Sequence, residues 1–270
     1  MRRAGELIVL AKWQFSKRQK FILISVLLSF ILLFSQFFEI PGKFLIIFGM
    51  AILAAGLTLW SLWIDLARIK FLTVVILPIY FTVSAGLFYF LLPSILLIRM
   101  GAAAIFGILF YLLLLTENIF NVAAIRTIQL ARAADAVGFL FTVFSAFFLF
   151  QVLASFQMPA WAIFLLAANL TFPLIVQVLW FRELEEFLSK KLLIYAVILT
   201  LVIAQIGLIL SFWPLEAPIF ALGMAGTVYL LTGLSQLELS ERLNKKVVAE
   251  FLAIGVVLVL VVLLGAKWAG

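Results

Sequence analysis

The sequence predicts an all-α fold, a polytopic bundle of about nine transmembrane helices. Three observations predict it: the share of apolar residues, their grouping into runs of membrane-spanning length, and the cations and tryptophans that punctuate those runs. Hydrophobic residues fill 67% of the 270 positions and charged residues 11%, against about 45–50% and about 25% in an ordinary soluble domain. No polar stretch is long enough to fold separately. Residues 21–270 therefore read as a single transmembrane domain preceded by a basic segment, residues 1–20.

In that first segment Leu7, Ile8, Leu10, Trp13 and Phe15 are mixed with six cations, the pattern of a short helix lying in the headgroup layer. It ends in a basic cluster and not in a small-residue cleavage site, which argues against a cleavable signal peptide.

A helix needs about 20 mostly apolar residues to cross the hydrocarbon. The runs that qualify are 21–38, 44–64, 71–92, 96–116, 138–156, 160–181, 192–212, 217–236 and 248–267. With the N-terminus inside, an odd count puts the C-terminus outside. Sixteen Lys and Arg then fall in cytoplasmic segments, while Lys43, Arg99 and Lys267 fall outside. This is the positive-inside bias, and one missed span would flip every later loop. Trp13, Trp60, Trp63 and Trp180 come at the inner boundary and Trp161, Trp213 and Trp268 at the outer one, where indole prefers to sit.

The chain has no Cys and no His. Thiolate nucleophiles, Ser-His-Asp triads, His-ligated zinc and imidazole proton relays are thereby excluded. No cofactor and no metal site is expected, nor an enzyme. The net charge of +7 fits contact with anionic lipid headgroups; no basic run interleaved with stacking aromatics points to nucleic acid. The expected partners are the lipid bilayer and, for an accessory protein, another membrane protein. The acidic run Arg182-Glu-Leu-Glu-Glu186 is followed by Lys190 and Lys191 and reads as a solvated loop.

Two places could carry chemistry. Residues 117–137 follow the fourth span without Gly or Pro, and at 100° per residue Glu117, Asn118, Asn121, Gln129, Arg132 and Asp135 share an arc of about 120°. Ile119, Phe120, Ala123, Leu130, Ala131 and Ala134 take the other side. One straight helix from residue 96 would be about 60 Å long, so this amphipathic segment must bend into the interface or project into the cytoplasm. It is either a solvated face with an Arg132–Asp135 i,i+3 pair or a surface for a partner. Glu117 is the sharper point, because a carboxylate inside the hydrocarbon boundary is costly.

The second place is mid-span, where Asn169, Thr171 and Pro173 interrupt an apolar run. Pro173 cannot donate to the carbonyl of Asn169, and a kink there would present that carbonyl beside an amide. Interhelical bonding to Thr82, Ser84, Ser145, Gln205 or Thr227 is the structural alternative to a binding site. Pro78 and Pro173 stand at unmatched depths in their spans, so no inverted repeat supports a transporter site. Ala51 with Ala55, Ala103 with Gly107, and Gly223 with Thr227 are small-xxx-small pairs that allow close helix approach.

The stretch LLLLTENIFNVAAIRTIQLARAADAVGFLFTVFSAFFLF, residues 112–150, resembles segments of uncharacterised multi-pass membrane proteins of small-genome candidate-phylum bacteria. The resemblance implies a prokaryotic cytoplasmic (inner) membrane and carries no known activity. On these grounds the sequence favours a non-enzymatic accessory or scaffold component of the membrane; a transporter or permease for a neutral, hydrophobic or lipid-like substrate is the other reading.

Overall fold

Length and apolarity dictate helices, because inside hydrocarbon every backbone group must be satisfied within its own segment. The computed structural model describes residues 16–63, 70–123, 130–183 and 188–268. Among these are nine long helices: α1 Lys17–Phe34, α2 Ile40–Leu62, α3 Lys70–Tyr89, α4 Leu96–Ala123, α5 Ala131–Ser155, α6 Ala160–Glu183, α7 Lys190–Leu210, α8 Ala217–Leu239 and α9 Lys245–Gly265. Each of the nine predicted spans has its helix. Eight are long and apolar enough to cross a membrane; the apolar stretch of α3, Val74–Tyr89, is shorter. Residues 1–15, with the predicted headgroup helix and Trp13, lie outside the described residues.

The helix ends follow local chemistry. Ser16 and Gln19 form a capping box at the start of α1, with Gln19 N donating to Ser16 Oγ at 3.3 Å and Ser16 N to Gln19 Oε1 at 2.9 Å. Ser189 and Asn244 cap α7 and α9, and a proline in the first turn opens α2 and α8. Helix α8 closes in a Schellman motif: Arg242 N donates to Leu237 O and Glu241 N to Glu238 O, with Glu241 at φ 56°.

One core cluster runs from Phe21 on α1 to Val262 on α9. At its centre is α5, which packs against α3, α4, α6 and α8. Around it α1 lies on α4, α2 on α3 and α7 on α6. Lipid tails are as apolar as leucine, so these contacts depend on close packing at small residues. Gly107 admits Ser29 of α1, and Gly86 admits Ile47 of α2. Ala51 and Ala103 are buried as well.

Helix α9 stands apart, resting on α8 in a constant antiparallel register. Ile219 meets Gly265, Gly223 meets Val262, Gly226 meets Leu258, Leu230 meets Gly255 and Gly233 meets Phe251. The far end is clasped: Lys267 N donates to Pro214 O at 3.0 Å, Lys267 Nζ reaches Glu216 Oε1 at 2.6 Å, and the Trp213 and Trp268 rings lie 5.4 Å apart. Val262 is the one α9 residue fully buried.

Trp60, Trp63, Trp161 and Trp268 are exposed at helix ends, as indoles at an interface should be. Trp180 differs, being only 2% exposed. It lies three residues before the end of α6, but its face of the helix turns inward.

Candidate functional site

Helix α4 does not stop at residue 116. It continues to Ala123, which puts Glu117 six residues, or about 9 Å, inside its end. The single amphipathic segment read over 117–137 is therefore divided: Glu117, Asn118 and Asn121 belong to α4, Arg132 and Asp135 to α5, and Gln129 lies outside the described residues. Helices α4 and α5 pack side by side, which one straight helix cannot do.

The solvated-face reading fails with it. Glu117 and Asn121 are 0% exposed and Asp135 is 7% exposed, while Arg132 faces outward and Asn118 is half-buried. Helical periodicity places residues on a common face; it does not say whether that face meets water or another helix.

At Glu117 the polar partner comes from α6. Gln177 Nε2 donates to Glu117 Oε1 at 3.1 Å. Gln236 of α8 reaches the next residue along, its Nε2 donating to Val178 O at 2.8 Å. Glu117 Oε2, Gln177 Oε1, Asn118 Oδ1 and both amide atoms of Asn121 are buried without a hydrogen-bond partner. One turn toward the helix ends, Phe120 and Phe181 stack with centroids 3.8 Å apart and planes 8° from parallel. Gly138 of α5 makes room for that stack, since a Cβ there would lie 2.7 Å from Phe181 Cε2 and 3.0 Å from Phe120 Cε2. Trp180 packs beside it, its ring centroid 6.2 Å from that of Phe181.

A carboxyl from α4 and an amide from α6 thus meet in one polar centre, beneath an aromatic stack that Gly138 of α5 accommodates. Chemically it offers one carboxyl and several amides with unused bonding capacity in a dry setting. Such a centre fixes helix register and is sensitive to any change of partner.

Sequence reasoning found Glu117 and Asn121 but missed Gln177, Gln236 and the Phe120–Phe181–Gly138 contact. The signal for Gln177 was present, because an amide flanked by Ile175, Val176, Val178 and Leu179 inside a span needs a partner.

A family model described as Protein of unknown function (DUF5656) matches residues 34–265. The chain belongs to this family. The match takes in α2 to α9 and the whole polar centre, beginning at the last residue of α1. No curated protein and no solved structure matches.

The second predicted place within the family match is arranged differently from expectation. Helix α6 runs unbroken through Pro173. Asn169 is exposed on its outer surface, and its Nδ2 donates to Leu165 O at 2.8 Å. Thr171 is buried and donates to Ala167 O at 2.7 Å. Thr82, Ser84 and Thr227 likewise bond to carbonyls of their own helices, and Gln205 faces outward. Asn169, Thr171 and Pro173 therefore do not gather a polar midplane site. Asn169 and Pro173 instead border a surface groove of about 350 Å³ between α6 and α7 that also contains Thr200.

Proposed function

We propose that this family member is a non-enzymatic assembly component of a prokaryotic cytoplasmic membrane, with its N-terminus inside, and that α9 is the element that recruits another membrane protein. The observation that carries this reading is the contrast between α9 and the rest of the bundle. Helices α5, α6 and α8 bury half of their best spanning windows, whereas α9 buries 6% of its own. Its outward residues include Leu252, Val256, Val257, Leu260 and Leu264, all at least 50% exposed. The lack of His and Cys and a core filled with side chains support a structural role.

The test is a photoreactive residue placed in living cells at Val256 or Leu260, with Leu201 on the exposed face of α7 as control. Assembly requires a discrete protein adduct from the α9 positions that is missing from Leu201. Lipid adducts alone at all three positions would sink the reading.

One observation favours transport instead: the exposed amide of Asn169 shares a mid-span groove with Thr200, whose hydroxyl is buried without a hydrogen-bond partner. If purified protein moved a fluorescent lipid between liposome leaflets and Asn169→Leu stopped it, this second reading would replace the first.

A further inference from the structure

The bundle has another groove, of about 420 Å³, between α1 and α4. It exists because Gly107 lets α1 approach closely, a Cβ there falling 2.2 Å from Ser29 Oγ and 3.4 Å from Ser25 O. Ala103 and Ala104 then leave a trough that longer side chains would have filled. On α1 the lining runs from Ile22 to Leu33, eleven residues or about 17 Å. That is close to one leaflet's half of the roughly 30 Å hydrocarbon.

The shape selects the occupant. The empty space in the trough, about 910 Å³ over about 17 Å, leaves a channel about 8 Å wide, narrower than the 10–12 Å diameter of a helix with its side chains. A hydrocarbon chain fits, and a partner helix does not.

Charge selects the headgroup. Of the cations that open α1, Lys20 is turned away over the Trp60 ring at 4.6 Å, and Lys17 is already engaged. Arg18 is exposed, and it lies four, seven and eleven residues before Ile22, Ser25 and Ser29, on the groove's own face of the helix. The register thus puts Arg18 one turn beyond Ile22, the last α1 residue at that end of the trough, and a lipid phosphate there would accept hydrogen bonds from its guanidinium.

We propose that the α1/α4 groove is a binding site for one anionic phospholipid, with an acyl chain in the trough and the phosphate on Arg18. The site is independent of α9 and of the assembly reading.

The probe is phosphatidylglycerol carrying a photoreactive acyl chain, compared with phosphatidylcholine of the same chains, on the full-length protein in mixed micelles. Peptide mapping should place the adducts within residues 22–33 and 100–111, with phosphatidylglycerol favoured about fivefold, the fold-change that one basic contact to an anionic headgroup supplies. Arg18→Gln should bring that ratio to near one while adducts remain in the groove. Ala104→Trp, at an exposed position, should remove the groove adducts for both lipids; Val26→Trp on the facing wall should do the same and guards against a folding defect in either variant alone. Adducts spread evenly over the outer faces of α7 and α9, or a headgroup ratio unchanged in Arg18→Gln, would overturn the proposal.

Discussion

Replacing Gln177 with leucine tests the polar centre most directly. Leucine is close to glutamine in volume, so the change removes the donor without opening a large cavity. It leaves Glu117, 0% exposed, without its one hydrogen bond. Interhelical side-chain bonds in membrane proteins average about 0.6 kcal/mol and reach about 1.7, but a buried polar group stripped of its partner costs about 1–3 kcal/mol. The second figure governs here, because Glu117 is fully buried, and a loss of about 2 kcal/mol follows. Glu117→Leu should cost a similar amount, since it strands the Gln177 amide instead. The double variant removes both polar groups at once and should lie within about 0.5 kcal/mol of the parent, the outcome expected when a satisfied buried pair gives way to apolar packing. The assay is reversible unfolding in mixed micelles with increasing SDS, applied to all four proteins of the cycle. If Gln177→Leu unfolds like the parent, or if the double variant loses the sum of the two single losses, the contact is not the constraint described. A double variant as stable as the parent would also show that the pair is kept for something other than stability.

Three further outcomes follow from the same structure. Gly226→Val should destabilise by about 1–3 kcal/mol through overpacking, because a Cβ there would lie 2.5 Å from Leu258 Cδ2; adding Leu258→Ala should recover most of the loss in the same unfolding assay, and no recovery would refute the α8/α9 register. The Glu216–Lys267 clasp should depend on pH: the hydrogen bond and charge of Lys267 hold the Glu216 carboxyl below its ordinary range, and those of Glu216 hold the Lys267 ammonium above its own. Its contribution is therefore full between the ordinary carboxylate and lysine ranges, lost as pH falls through the lowered carboxyl value and lost again as pH rises through the raised ammonium value; near-ultraviolet circular dichroism of the Trp213–Trp268 pair should follow both limbs, and Lys267→Met should flatten them. Since the chain lacks cysteine, single cysteines at the exposed Phe37, Gln157 and Phe212 should label with an impermeant thiol reagent in intact cells while those at Ala133 and Leu243 stay unlabelled, and the reverse pattern would overturn the orientation.

Composition and periodicity by themselves determined the helical class, the nine helices and most of their ends, since the length of an apolar run and the cost of an unpaired backbone group in hydrocarbon are local quantities. The same local logic marked Glu117 as a carboxyl in an expensive place, and singled out Ala103–Gly107 and Gly223 as points of close approach. It could not decide which way a face looks. Asn121 and Asn169 are both amides on spanning helices, yet the first is sealed inside the bundle and the second borders a groove on its surface. Polarity alone leaves the arc of residues 117–137 as either a solvated face or a partner surface; the packing of the bundle buries Glu117, Asn121 and Asp135 and leaves Arg132 exposed. Gln177 lies sixty residues from Glu117, and nothing in either neighbourhood names the other. Pairing at that distance is settled by how nine helices share one core, where the energy of a contact depends on what surrounds it and not on the residues that make it.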